Sequence, residues 1–288
     1  MKHPPRRKRF GQHFLHDPTV IDRIAAAINP RPGDHVVEIG PGRGALTRRL
    51  LNRRALGAIV PDASGPRATS PDATAADAVT LDAIEIDRDL AALLREEFAG
   101  HTEFTLHEAD ALELNFTELA QARGGKLRVV GNLPYNISTP LLFHLLDHRA
   151  VIEDLHIMLQ REVIARMAAK AGDEDYGRLT VMLAPWVSIE HLFDVGPGAF
   201  TPPPRVWSAV ARVTVRLRPA FSVSEHFGAV VAAAFAHRRK TIRNALRDLV
   251  TLEQIEAAGL DPGARPETFP PEAFNLLAQK IVRSTPSV

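Results

Sequence analysis

The feature that most constrains this chain is an apolar run that ends in a glycine-rich turn and passes directly into a helical pattern. Residues 35–40, HVVEIG, have the length and composition of a buried strand; GPGRG follows, and ALTRRLL from Ala45 restores helical periodicity. Glycine suits such a turn because a ligand approached by the backbone leaves no room for a Cβ, and because glycine accepts left-handed dihedrals. The turn alone does not choose its ligand. A dinucleotide enzyme sets a similar turn against pyrophosphate, and a ligand-free tight turn has the same composition.

The same unit then recurs. AIEID (83–87) closes a second apolar strand and precedes the helical RDLAALLREEF; FTLHEADAL (104–112) reads as a third strand and LRVVGNLPYN (127–136) as a fourth. Strands alternating with helices predict an α/β fold with a mainly parallel sheet covered on both faces. Ligands of such sheets gather at the carboxyl ends of the strands, where Gly40, Glu85, Asp110 and Asn132 all fall. Ahead of the first strand, residues 17–28 place Val20, Ile21, Ile24 and Ile28 at helical spacing, with Asp17 as the N-cap and Pro18 at the first helical position.

Residues 61–80, PDASGPRATSPDATAADAVT, have no periodicity and few large apolar side chains, which predicts a mobile surface loop. This insertion stretches the Gly42 to Glu85 interval well beyond the roughly 20 residues usual in a nucleotide fold. Because loop-closure entropy grows only logarithmically, the extra length costs about 1 kcal/mol or less. After Pro204, VWSAVARVTVRL (206–217) alternates at period two, and residues 225–283 carry helical signals alone. The expected division is therefore residues 1–219 and a smaller helical domain over residues 220–288. One helix is expected over 226–249, with Phe235, Ile242, Leu246 and Leu249 on one face and Arg239, Arg243 and Arg247 in an adjacent basic row.

The chain has 288 residues, no cysteine and a net charge of +1. Without cysteine there is no disulfide framework, thiolate metal site or cysteine nucleophile, and no metal-ligand cluster is evident. No apolar run approaches the roughly 18–20 residues of a membrane span, and the basic opening MKHPPRRKRF runs into polar sequence rather than a leader's apolar core. A soluble, cytoplasmic protein is expected. Attraction to nucleic acid must then come from local clusters: Lys2, Arg6, Arg7, Lys8 and Arg9; Arg205, Arg212, Arg216 and Arg218; and Arg238, Arg239, Lys240, Arg243 and Arg247. A solvated face accounts for each cluster taken singly.

Glu85, at a strand tip, is placed to accept both hydrogen bonds of a ribose diol, although a surface acid reads the same way. Asp110 suits either the amine of a bound adenine or the cap of the next helix. GNLPYN (131–136) is the most informative string. An adenine amine is a poor nucleophile because its lone pair is delocalised into the ring. Two acceptors, Asn132 and the Leu133 carbonyl, would position that nitrogen and favour the tetrahedral transition state in which positive charge develops. Pro134 stiffens the loop, and Tyr135 offers a ring for an unpaired base to stack on. Taken alone, the string also fits an ordinary loop with a half-buried tyrosine.

Taken together with GQHFL (11–15), VVEIGPGRGALT (36–47), AIEIDRDL (83–90), EADAL (108–112), GNLPYNISTPLLFHLL (131–146), MLQREV (158–163), YGRL (176–179), FTPPPRV (200–206) and RRKTIRNAL (238–246), the string no longer stands alone. In this order the segments resemble the bacterial small-subunit ribosomal RNA adenine dimethyltransferase family, from about Phe10 to Leu246 and interrupted by 61–80. The resemblance implies a Rossmann-like S-adenosylmethionine-dependent methyltransferase sheet with a smaller C-terminal helical domain. It implies N6,N6-dimethylation of two adjacent adenosines in a hairpin loop near the 3′ end of 16S rRNA, during late small-subunit assembly. The donor site would comprise His13, Leu15, Gly40, Glu85, Asp110 and Asn132. The target adenine would meet Asn132, Leu133 and Tyr135, with Phe200 stacking on its other side. The family most often carries Asn at the position of His13. Arg238, Arg239, Lys240, Arg243 and Arg247 are the expected RNA contacts of a protein that acts as a monomer, without a metal and away from membranes. A large-subunit rRNA adenine methyltransferase is the nearest alternative enzyme, and a nonenzymatic assembly factor that binds RNA the alternative of another class. A nicotinamide dehydrogenase would have no use for GNLPYN.

Overall fold

The computed structural model describes residues 12–52, 79–237 and 239–281. The chain runs β1 (Phe14–Leu15), α1 (Pro18–Ile28), β2 (His35–Ile39), α2 (Ala45–Leu51), β3 (Thr80–Glu85), α3 (Arg88–Glu97), β4 (Phe104–Glu108), α4 (Phe116–Arg123), β5 (Leu127–Asn132) and α5 (Ser138–Asp147). It continues through β6 (Ile152–Gln160), α6 (Arg161–Ala168), α7 (Arg178–Leu183), β7 (Val187–Val195), β8 (Phe200–Thr201) and β9 (Ser208–Val215). Four further helices follow: α8 (Phe227–Ala234), α9 (Ile242–Leu246), α10 (Leu252–Ala257) and α11 (Pro271–Ala278). Among the described residues, no helix is long and apolar enough to cross a membrane.

The chain forms two compact units, Met1–Arg161 with Glu190–Val215, and Glu162–Ile189 with Arg216–Val288. A change of periodicity near Pro219 marks the chain's return to the second unit but carries no sign of the earlier segment Glu162–Ile189 that joins it.

The main sheet has the strand order β4-β3-β2-β5-β6-β9-β7. Strands β2 to β6 pair in parallel, and β9 lies antiparallel on β6. From β2 the chain builds outward through β3 and β4, then returns to place β5 on the other side of β2. That reversal opens a crevice beyond the carboxyl ends of β2 and β5, the place where sheets of this kind bind ligands. Two backbone features keep the crevice sharp. Gly40 and Gly42 turn the chain away from β2 with φ of +68° and +58°. Gly131, with φ of +153°, lets β5 close on β2, because a Cβ there would lie 2.4 Å from the Ile39 carbonyl oxygen.

Local chemistry explains the helices that frame this edge. Asp17 accepts from the N–H groups of Thr19 and Val20 at 2.8 and 3.2 Å, so α1 starts at Pro18 as its sequence predicts and buries Ile21, Ile24, Ala25 and Ile28. In the middle of β3, fully buried Asp82 is gripped by Arg123 through two bonds of 2.7 and 2.6 Å and by His107 at 2.7 Å. An unpaired carboxylate there would be costly, so α4 supplies the guanidinium that makes the position tolerable.

Two expectations change. The insertion drawn over 61–80 overruns at its end, since Thr80 pairs with His35 as the first residue of β3; residues 61–78 lie outside the described residues. The single helix expected over 226–249 is two, α8 and α9. The N–H groups of Ile242 and Arg243 turn to the carbonyls of Ala264 and Pro262, which removes the ladder a continuous helix would need. In this second unit Phe227, Val230, Ile242, Leu246, Ile255 and Phe274 form the core.

Candidate active site

One cavity of about 280 Å³ opens at the crevice between β2 and β5. Gly40, Glu85, Asp110, Asn132, Leu133, Tyr135 and His13 all line it, so His13 meets Asn132 there across 119 positions of the chain.

Glu85 ends β3 and is only 4% exposed. Its Oε2 accepts from the Gly42 N–H at 3.2 Å and its Oε1 from the Asp87 N–H at 3.0 Å, so the carboxyl ties the glycine turn to the neighbouring strand. A carboxylate offers about four acceptor sites, so these amides do not exhaust its capacity for a ligand's hydroxyl groups. Burial pushes this carboxyl up to about 7, outweighing the amide donors that favour ionisation. Beneath the turn, Glu38 accepts from the Thr47 hydroxyl at 2.7 Å and is likewise pushed up to about 7 by burial, with Glu85 adding to the effect.

Asn132 ends β5. Its Nδ2 donates to the main-chain carbonyl of His13 at 3.1 Å, which leaves Oδ1 as the free acceptor of the amide. The His13 ring is fixed in turn: Nδ1–H donates to the Pro202 carbonyl at 2.8 Å, and the ring stacks on Tyr135 with centroids 6.1 Å apart and planes at 27°. The Tyr135 hydroxyl is bonded to Ser208 Oγ at 2.7 Å, and its carbonyl accepts from Ser138 Oγ at 3.1 Å. Burial pushes the Tyr135 phenol up, so it stays neutral at physiological pH. The Leu133 side chain is 1% exposed and its N–H bonds the Met158 carbonyl at 3.1 Å, so this residue offers the cavity its backbone.

Asp110 lines the cavity, and its Oδ1 accepts from the Leu112 N–H at 2.9 Å within a turn; it is not the cap of the next helix, a place that Asn115 takes. Leu15 does not reach the main cavity and lines a smaller one of about 50 Å³ behind the glycine turn, together with His13 and Gly40. Phe200 lines neither cavity. It pairs with Leu15 across β1 and β8, is 2% exposed and packs among Ile24, Val210 and Ala199, so its ring is not available to stack opposite Tyr135. Ile86 and Gln12 line the cavity without having been singled out in the sequence. Ile86 is 45% exposed, and its signal is the apolar residue between the acids of EID at a strand tip; Gln12 gives none.

The basic clusters separate. Arg212 bonds Glu190 and the Ala27 carbonyl, and Arg216 bonds the carbonyls of Ala184 and Val187, so both serve the protein's own structure. Arg239, Arg243 and Arg247 are exposed and Lys240 half-buried; Arg238 lies outside the described residues. With the helix broken, Arg239 sits in the turn before α9 rather than on a row with Arg243 and Arg247.

A mainly parallel sheet whose glycine turn, strand-tip acid and Asn-Leu-Pro-Tyr loop converge on one cavity defines a Rossmann-like methyltransferase. Residues 5–57 and 68–282 match the model of the family described as ribosomal RNA adenine dimethylase, and the chain belongs to that family. It is 49% identical over 277 residues to ribosomal RNA small subunit methyltransferase A of Pseudomonas aeruginosa, covering 96% of this chain and 94% of the relative. It is 50% identical over 268 residues to the protein of the same name from Methylococcus capsulatus, covering 93% and 94%. Among solved structures, the 23S rRNA methyltransferase ErmE aligns with a TM-score of 0.66 and 28% identity over 93% of this chain and 99% of its own. A dimethyladenosine transferase of Plasmodium falciparum, 23% identical with a TM-score of 0.68 over 92% of this chain and 96% of that one, shares the fold.

Proposed function

We propose that this protein transfers methyl groups from S-adenosylmethionine to the N6 amines of two adjacent adenosines in a hairpin loop near the 3′ end of 16S rRNA. It acts as a cytoplasmic monomer during small-subunit assembly. The observation that carries the reading is the Asn132 amide, locked by the His13 carbonyl so that Oδ1 is the acceptor left at the cavity beside the Tyr135 ring.

The residues present fit the donor. A nearly buried carboxylate with acceptor capacity left lies beside a glycine turn, and Asp110 stands across the same cavity with one oxygen left over. In this reading Glu85 takes the ribose hydroxyls, Asp110 the adenine amine, and His13 and Gly40 the amino-acid end, with Leu15 supporting His13 from behind. When bound, the donor supplies an electrophilic methyl on a sulfonium.

The chain's own task is to present the target nitrogen. Asn132 Oδ1 and the Leu133 carbonyl accept the two amine hydrogens, which points the nitrogen at the methyl and stabilises the positive charge that develops as the N–C bond forms. No strong base is needed, because the surplus proton is acidic once nitrogen has become cationic and leaves to water. Tyr135, held by Ser208, gives the extruded base a face to stack on. Arg239, Lys240 and Arg243, with Arg238 and Arg247, hold RNA phosphates.

The test is to incubate the protein with methyl-labelled donor and small subunits that lack this modification, then map the label. Label confined to two neighbouring adenosines of the 3′ hairpin is expected; label elsewhere, or none, overturns the reading.

A further inference from the structure

The cavity accounts for one base. Beside it, on the same edge of the sheet, stands an aromatic side chain that the site has not used. Trp207 is 50% exposed and follows Val206, 41% exposed. Single exposed apolar residues are ordinary on protein surfaces, so exposure alone says little. Three further observations set this one apart.

The first is its anchorage. Trp207 immediately precedes Ser208, whose Oγ is bonded to the Tyr135 hydroxyl at 2.7 Å, so the indole and the Tyr135 ring hang from one hydrogen-bonded joint. Its carbonyl accepts from the Arg161 N–H at 2.9 Å, and its ring rests against Gly196, where a Cβ would stand 3.5 Å from Cη2. The second is its position. Asn132 is in register with Met158 and that residue with Val210, while Gln160 is in register with Ser208. The start of β9 is therefore two strands across and two residues along from the end of β5, roughly 12 Å away at the usual strand spacing and rise. The third is its charge. The Arg161 guanidinium lies 6.0 Å from the centroid of the Trp207 ring, its only ion pair among the described residues being a long one of 3.6 Å to Asp194, which His191 also engages. Arg205 is exposed and makes no ion pair among the described residues.

We propose that Trp207 is a second stacking platform, taking the unpaired nucleobase next to the target adenosine while Arg161 and Arg205 contact its phosphates. This rests on the reading of the protein as an RNA adenine methyltransferase and adds which part of the RNA it holds. A half-exposed indole flanked by cations matches single-stranded RNA, in which every base has a π-face and every nucleotide a negative charge. Stacking the neighbour fixes the backbone on one side of the extruded adenosine, so it aids binding more than chemistry.

The test uses the full chain. In a Trp186→Phe background, Trp207 is the one tryptophan left of two, and its emission reports the platform directly. Titration with a synthetic RNA hairpin carrying two adjacent unpaired adenosines should quench that emission. On small subunits lacking the methyl groups, Trp207→Ala should raise KM about tenfold with kcat changed less than about threefold, and Trp207→Phe should restore most of the loss. Donor affinity should be the same in all three. Unchanged emission, or an unchanged KM in Trp207→Ala, overturns the proposal. A raised KM for subunits with no quenching by the hairpin assigns Trp207 to a protein contact and overturns it as well. Quenching by the hairpin, with no methylation of small subunits by the wild-type protein, leaves the platform standing and sinks the methyltransferase reading, so the two failures are distinct.

Discussion

The side-chain amide of Asn132 donates to the main-chain carbonyl of His13 at 3.1 Å. One bond from a residue near the start of the chain thus sets which end of the β5 amide is an acceptor. In the proposed reading the position before β1 acts on the chemistry through its backbone carbonyl.

Asn132→Ala removes the acceptor and should lower kcat for methyl transfer about 100-fold or more, by analogy with removal of one transition-state hydrogen bond. RNA affinity should stay within about threefold, since the proposed phosphate contacts lie elsewhere. Single-turnover methylation and an RNA titration on the same preparation separate the two. Equal losses in both would mean that Asn132 serves the fold or the RNA rather than the amine.

Glu85 should make donor binding pH-dependent. Its carboxyl is pushed from 4.5 to about 7 by burial, so between those values the folded protein holds a proton that the unfolded chain has released. Its share of the stability without donor therefore falls as pH rises across that window, by about 1.4 kcal/mol for each pH unit at most, and Glu38 adds a slope of the same sign. Ribose hydroxyls donate to the ionised form, so donor affinity should rise by up to about tenfold per pH unit below 7 and level off above it. Calorimetric titration from pH 6 to pH 8 checks this, and Glu85→Gln should bind more weakly with the slope gone.

Gly131→Ala should destabilise the first unit by about 3 kcal/mol, because the new Cβ would stand 2.4 Å from the Ile39 carbonyl and β5 would have to leave β2. A shift of the denaturant midpoint by that amount, with donor binding weakened as the crevice opens, is the expected result. A neutral substitution would show that the two strands are less closely apposed in solution.

Replacing Arg239, Arg243 and Arg247 together by Ala should weaken RNA binding and flatten the plot of log affinity against log salt, by about 0.7–0.9 for each phosphate that is no longer neutralised. An unchanged slope would remove these residues from the interface. The expected weakening does not depend on one continuous helical row, because the break between α8 and α9 leaves Arg239, Arg243 and Arg247 exposed.

What could be read from sequence followed from local rules. The strand, glycine turn and helix over 35–51, the Asp17 cap and the strand-tip positions of Glu85 and Asn132 each depend on a few neighbouring residues, and each lies where its pattern puts it. Long-range facts were silent. β6 has no alternating pattern because Leu155 to Leu159 are buried in the middle of the sheet. The break before Ile242 depends on carbonyls of Pro262 and Ala264, some 20 residues on in the chain. Phe200 has the composition of a stacking residue, but the pairing of β1 with β8 buries it, and no local pattern reports that pairing.

The most direct test of the central claim is a crystal structure with S-adenosylhomocysteine and adenosine bound. We expect the product's ribose on Glu85, and the adenosine base on Tyr135 with N6 about 3 Å from Asn132 Oδ1. An adenosine seated away from Tyr135, or an Asn132 amide turned so that Oδ1 leaves the cavity, would contradict the account.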